Sequence, residues 1–270
     1  LENAIDRMPR AILTSSQHSA KVLLNEFNLQ PDRVIPLPDC VDTEFFRPRS
    51  AADQADIDSL KEQLGIPLDR SVVIYLGLLA HYQGTDHIIQ AARKVIEAQP
   101  NAHFLIMGYP GHLGYQVHAN QLGLGDHMTF WGRLPYEQAA RYLRLGDVAL
   151  APKLSLTEGA GKILNYMACA LPTIAFDMPV AREFMADRGT YADRGSADAL
   201  AGCIIDLLQK PDRRSTIGQA LRQRAIDRFS WDEAGDQILS VYDAIRLPRS
   251  ADRAAALSKI REGKHAGETR

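Results

Sequence analysis

With 270 residues the chain is long enough for one large or two small domains, and 46% hydrophobic against 24% charged residues is the ordinary balance of a soluble globular protein. A formal net charge of −2, with Lys and Arg scattered, gives no electrostatic reason to expect nucleic acid as a partner. Cys40, Cys169 and Cys203 are odd in number and show no C-x-x-C spacing, which argues against a disulfide framework and fits a reducing, cytoplasmic compartment.

The opening L-E-N-A-I-D-R-M-P-R has no hydrophobic segment of the kind a signal peptide needs. It also begins without Met and as if in the middle of a domain, so a fragment of a longer reading frame is expected. The longest apolar run, Val72 to Ala80, falls far short of a membrane span. Ala11 to Thr14 reads as a buried strand, followed by a helix capped by Ser15 or Ser16 with Val22, Leu23, Leu24 and Phe27 on its apolar face. Arg33 to Leu37 is a second short strand that leads into a proline-bounded connector, P-D-C-V-D-T-E-F-F-R-P. The polar stretch 49–70 holds a helix from Asp56 to Leu64.

From Ser71 the rhythm changes. V-V-I-Y-L-G, H-F-L-I-M-G, M-T-F-W-G, D-V-A-L-A-P and T-I-A-F-D, which start at Val72, His103, Met128, Asp147 and Thr173, are apolar runs of strand length. Helical patterns such as Ile88 to Ala98 and Tyr136 to Leu145 separate them. That alternation predicts βαβ units in an α/β fold, a doubly wound parallel sheet of Rossmann-like type. Glycines at strand ends mark the carboxyl edge, where such sheets bind ligands. Helices over 196–209, 211–228 and 231–246 close the chain, and the charged, Ala-rich stretch 249–270 is expected to be disordered. Residues 1–48 therefore read as the end of one α/β unit with its connector, and 49–230 as a complete one.

In T-E-G-A-G-K-I-L-N-Y-M-A-C-A-L-P, Thr157 to Pro172, a glycine-rich polar stretch runs into a helical pattern. Ile163, Leu164, Met167 and Ala168 form a buried stripe, while Glu158, Lys162 and Asn165 recur at i, i+4 and i+7 on the opposite face. Beside Gly159 and Gly161, a carboxylate, an ammonium and an amide make a site-like face. The same spacing also describes an ordinary surface ion pair, worth a few tenths of a kcal/mol.

Five landmarks in order resemble the retaining glycosyltransferases of the two-Rossmann-domain (GT-B) type, the family 4 or group 1 class. V-I-P-L-P-D-C-V-D-T-E-F-F-R-P is similar to the interdomain connector of that family, and Y-L-G-L-L-A-H-Y-Q-G to its first strand and phosphate loop. F-W-G-R-L-P is similar to its base-binding loop, T-E-G-A-G-K-I-L-N-Y-M-A-C-A-L-P to its acidic donor motif, and F-S-W-D-E-A to the start of its final helix. Two places depart from the pattern. In the family's phosphate loop, G-R-L-x-x-x-K-G, an Arg and a Lys hold the donor diphosphate, but Leu78 and Gln83 stand there in this chain. The second Glu of the acidic motif corresponds to Asn165. Either donor binding has been lost, or the cation has moved, with the Lys162 ammonium neutralising the diphosphate from the opposite wall. Changes this coordinated favour relocation.

The resemblance implies a nucleotide-sugar donor, retention through front-face displacement, no metal and no cofactor. Gly77, Leu78, Gln83 and Gly84 would form the phosphate loop, with Thr85 capping the next helix; Gly159, Gly161 and Lys162 would face it. Glu158 would hydrogen-bond sugar hydroxyls and Asn165 the ribose, which makes Glu158 and Lys162 the catalytic candidates. Arg133 and Leu134 either contact the nucleobase or end a strand in solvent. Residues 231–248 would be the helix that crosses back to the first domain. Glycan, lipid and small-molecule acceptors all remain open, and peripheral membrane association would belong to a first half that this chain does not include. Two rivals share the architecture: a non-catalytic or truncated nucleotide-sugar-binding module, and a nucleotide-sugar epimerase. The D-x-D of Asp56 and Asp58 falls in a polar helix rather than at a strand end, and the singly spread histidines match no metal spacing, so neither is read as a metal site. G-Y-P-G-H-L-G, 108–114, reads as a flexible loop.

Overall fold

The computed structural model describes residues 8–156, 159–248 and 250–263, and the chain divides into two compact units. The smaller comprises the chain up to Cys40, Gly159, and the chain from Arg228 onward; the larger comprises Val41–Leu156 and Ala160–Asp227.

In the smaller unit β1 (Ile12–Thr14), α1 (Gln17–Glu26) and β2 (Val34–Pro36) make one βαβ turn, with Ile12 opposite Val34 in a parallel pair. Ser16 caps α1, its hydroxyl accepting the Ser19 N–H at 3.0 Å.

The larger unit runs α2 (Gln54–Gln63), β3 (Ser71–Leu76), α3 (Thr85–Ala98), β4 (Ala102–Met107), α4 (His112–Gln121), β5 (Met128–Gly132), α5 (Tyr136–Leu143), β6 (Val148–Ala151), α6 (Lys162–Ala168), β7 (Thr173–Phe176), α7 (Pro179–Met185), β8 (Thr190–Ala192), α8 (Ala197–Gln209) and α9 (Pro211–Phe229). The six strands are parallel in the order β5-β4-β3-β6-β7-β8, the doubly wound sheet that the alternation predicts. Val72 to Tyr75, Phe104 to Met107, Val148 to Leu150 and Ile174 to Phe176 are wholly buried. A parallel sheet covered on both faces takes such continuous apolar runs rather than alternation. Because the strand order reverses between β3 and β6, the crevice at their carboxyl ends is where this sheet can receive a ligand.

Two helices, α10 (Trp231–Arg246) and α11 (Ser250–Gly263), return to the smaller unit. Successive β2 side chains point to opposite faces. Val34 packs with Ala20 and Leu29, and Ile35 with Val241, Ala244 and Leu257. α11 corrects the expectation of a disordered tail over 250–263. The segment is polar on average, but Leu257 and Ile260 stand one turn apart and pack onto the Ile35 cluster, Arg261 donates to the Pro31 carbonyl at 2.7 Å, and alanine favours the helix. The flexible loop expected over 108–114 is likewise cut short, because His112 already opens α4 after Gly111.

His103, near the start of β4, is buried, and burial followed by the nearby Arg70 guanidinium pushes its pKa down from 6.5 to about 4. Arg70 can only donate, so its Nη1, at 3.3 Å, makes Nδ1 of His103 the acceptor and leaves Nε2–H to donate to Thr129 Oγ1 at 2.9 Å. The unfolded chain takes up this proton near pH 6.5 and the folded chain only near 4, so stability is full above that window and is lost as pH falls through it, by on the order of 3 kcal/mol. Urea unfolding from pH 7 to 4 is expected to show the slope in the wild type and a flatter one in His103→Asn. An equal slope in both would place the acid sensitivity elsewhere.

Candidate functional site

Two loops meet at the strand-order reversal: residues 77–84 after β3 and 152–156 after β6. β3 pairs with β4 as far as Leu76 and Met107, but with β6 only as far as Ile74 and Ala149. The Leu76 N–H therefore has no strand partner on the β6 side, and the Tyr166 hydroxyl accepts it at 2.8 Å. Burial raises the Tyr166 phenol well above its ordinary pKa, so it stays protonated. That bond ties α6 to the end of β3.

One turn before Tyr166, Lys162 reaches back over the first loop. Its Nζ lies 2.8 Å from Tyr75 Oη and 2.9 Å from Gln83 Oε1, and 4.2 Å from the centre of the Tyr75 ring. The Tyr75 hydroxyl donates to the Leu78 carbonyl at 2.6 Å, so its oxygen is the acceptor for the ammonium. Burial raises this phenol too, which keeps the proton that the bond requires. A Cβ on Gly77 would stand 2.6 Å from Lys162 Nζ. Gly84 sits at φ +81°, where a Cβ would overlap the Pro152 carbonyl oxygen, and the Leu154 N–H donates to the Tyr82 carbonyl at 2.8 Å. The two loops are thus held backbone to backbone, with Lys162, Tyr75 and Gln83 between them.

The structure brings together Gly77, Leu78, Gln83, Gly84 and Lys162. Gln83 is buried at 7% exposure, whereas the Leu78 side chain is 41% exposed and takes part through its carbonyl. Asn165 is half-buried on α6, one turn beyond Lys162. The single polar helical face expected to run from Glu158 to Asn165 is corrected at its start: α6 begins at Lys162 with Gly161 as its cap residue. Gly159 and Gly161 are poor helix formers, so the pattern does not extend back through them. Glu158 lies outside the described residues, as does Thr157. Gly159 is grouped with the smaller unit, where a Cβ would stand 2.8 Å from Asp39 Oδ2. Thr85 does not cap α3 as expected. Gly84 is the cap residue, and Thr85 Oγ1 instead bonds the Ala80 N–H at 3.2 Å and carbonyl at 3.3 Å. Arg133 is exposed after β5 with its guanidinium 5.2 Å from the Tyr109 ring centre, and Leu134 beside it is half-buried. Asp56 is occupied by Arg141, Asp58 accepts from Gln54, and among the described residues no cluster of three His, Cys, Asp or Glu could hold a metal.

Tyr75 and Tyr166 escaped the sequence reading, although a phenol inside a wholly buried strand or helix face needs a partner for its hydroxyl. That need was the available signal.

Residues 56–224 match the glycosyl transferases group 1 family, and the chain belongs to that family. It is 28% identical over 266 residues to the D-inositol 3-phosphate glycosyltransferase of Segniliparus rotundus, a match covering 95% of this chain and 55% of that protein. It is 30% identical over 226 residues to the GDP-mannose-dependent alpha-(1-6)-phosphatidylinositol monomannoside mannosyltransferase of Mycolicibacterium smegmatis, covering 80% and 57%. The crystal structure of HepE from Anabaena in complex with UDP is similar with TM-score 0.78 at 19% identity, covering 90% of this chain and 66% of that one. These solved relatives carry the fold, the Rossmann-like architecture of GT-B glycosyltransferases. The chain spans little more than half the length of the curated relatives it matches.

Proposed function

We propose that this chain is the donor-binding half of a retaining glycosyltransferase that moves a sugar from a nucleoside-diphosphate sugar to a glycan, lipid or small-molecule acceptor, in the cytoplasm and without a metal. The observation that carries the reading is the Lys162 ammonium, held by Tyr75 and Gln83 where the sheet's strand order reverses. As the glycosidic bond breaks, negative charge grows on the departing diphosphate, and a fixed cation in a preorganised loop stabilises it. The N-terminus of the fourteen-residue α3, behind Gly84, adds backbone N–H groups to the same wall. Lys162 then serves where the group 1 pattern places a lysine at position 83. In this reading Asn165 bonds ribose hydroxyls, Glu158 holds the sugar, and Arg133 with Leu134 meets the base. The names of the relatives, one GDP-mannose-dependent and one seen with UDP, support a nucleoside-diphosphate donor. No helix among the described residues is long and apolar enough to cross a membrane.

The absence of the usual Arg and Lys at Leu78 and Gln83 also supports a second reading, a module that binds the nucleotide sugar without turnover. Thermal unfolding with UDP, GDP and ADP tests the shared premise. A ligand at one hundred times its Kd stabilises by about 2.7 kcal/mol, a shift of several degrees, and one of the three is expected to give it. If none does, both readings fall. Product anomers formed by the full-length protein from the matching nucleotide sugar then separate the two: α from an α-linked donor supports the retaining transferase, and no product leaves the module.

A further inference from the structure

A second cleft, of about 450 Å3, opens at the amino ends of β6 and β7, the edge of the sheet opposite the Lys162 loops. Four arginines line it, Arg49, Arg144, Arg214 and Arg222, and the acidic side chain in the lining is Asp147. Asp147 is already committed, one oxygen to Arg49 at 2.8 Å and the other to the Val72 N–H at 2.8 Å. Arg144 stands 3.5 Å from Asp53, which it shares with Arg47 at 2.7 Å.

The other two guanidiniums are placed but not neutralised. Arg222 Nη1 donates to the carbonyls of Thr43 at 3.3 Å, Phe46 at 3.2 Å and Ala168, while Arg214 makes one long bond, 3.4 Å, to the Leu208 carbonyl. Carbonyls fix a guanidinium in position without cancelling its charge, and it cannot deprotonate. Among the described residues no carboxylate pairs with either. Arg214 also lies in the first turn of α9, so the N-terminal end of a nineteen-residue helix adds to the same positive potential. Of the lining arginines, Arg144 and Arg222 act on the Cys169 thiol in the cleft wall, lowering its pKa against the larger effect of burial, which raises it.

We propose that this cleft is a binding site for a small, multiply charged phosphate compound, an inorganic polyphosphate or a sugar phosphate, separate from the donor loops. Its volume is that of a small-molecule site rather than a macromolecular surface. Guanidinium forks match phosphate oxygens two at a time, and two unneutralised arginines suit a group carrying at least two negative charges.

Because pyrophosphate could also enter the donor loops, the test is run on Lys162→Ala. Calorimetric titration of Lys162→Ala with pyrophosphate, and separately with glucose 6-phosphate, is expected to show binding that Lys162→Ala/Arg214→Glu weakens at least tenfold. The milder Arg214→Gln, with its thermal midpoint unchanged, is expected to weaken it several-fold, which separates loss of charge from loss of fold. Tighter pyrophosphate binding would assign the inorganic anion, and tighter glucose 6-phosphate binding the ester. No binding to Lys162→Ala, or binding that the Arg214 substitutions leave untouched, would overturn the proposal. The nucleotide response of Arg214→Glu reads the donor site independently, so the two ideas stand or fall apart.

Discussion

Gly84→Ala is expected to destabilise the larger unit by about 2–5 kcal/mol, from two separable sources. Holding a residue with a Cβ at φ +81° costs roughly 1–2 kcal/mol. The new methyl also overlaps the Pro152 carbonyl oxygen, a backbone atom that no side-chain rotation can move aside, and overpacking of that kind costs about 1–3 kcal/mol more. For a unit of this size the thermal midpoint should fall by roughly 5–15 °C. Gly65→Ala supplies the control. Gly65 follows α2 at φ +68° with nothing within 4 Å of its Cβ position, so it carries only the conformational cost, roughly 1–2 kcal/mol. Equal losses at the two sites would mean that the loops at the strand-order reversal are not locked together. If the account is right, Gly84→Ala should also blunt the response to nucleotide, because relief of the overlap moves Gln83 and its neighbours away from Lys162.

The sheet was legible in the sequence because its physical cause is local. Val72 to Tyr75 and Phe104 to Met107 are continuous apolar runs because both faces are covered, and a run of strand length with glycine behind it has few other interpretations. The order of the strands and the crevice at the reversal were not read from the sequence, where only the doubly wound class and the carboxyl edge were legible; the structure supplied both. The contact that defines the candidate site was not legible, since Lys162 meets Tyr75 and Gln83 across 87 and 79 residues of chain. Periodicity says which face of a helix is polar but not what stands opposite. It also carried the helix too far back, through Gly159 and Gly161, where two residues with no side chain favour loop over helix. α11 failed in the other direction. Averaged composition hid Leu257 and Ile260, and two well-placed apolar residues suffice when a neighbouring strand and helix already offer Ile35 and Val241. What single-sequence reading misses here is tertiary, and it falls on side chains whose partners are remote.

Lys162→Gln is expected to weaken binding of the stabilising nucleoside diphosphate by roughly 10- to 150-fold while leaving the fold intact. A charge-assisted hydrogen bond to phosphate is worth about 1.5–3 kcal/mol, and each 1.4 kcal/mol is a factor of ten in Kd. The side chain is only half-buried, so the protein tolerates its loss, although the phenol of Tyr75 gives up one contact. Loss of affinity alone would not show that the cation has moved from one wall of the loop to the other. The exchange does. Gln83→Lys in the wild type places two ammonium groups about 3 Å apart and should destabilise the loop without improving affinity. Gln83→Lys in the Lys162→Gln background reverses the pair, returning one cation and one amide to the same space from opposite sides. That double variant should recover most of the lost affinity, and calorimetric Kd values for the four proteins close a thermodynamic cycle with a coupling of about 1–3 kcal/mol. If the double variant binds as weakly as Lys162→Gln alone, the ammonium at position 162 acts through something other than its place beside Gln83, and the relocation is wrong. If it recovers, what the site requires is one positive charge at that point in the crevice, and the helix or the loop can deliver it.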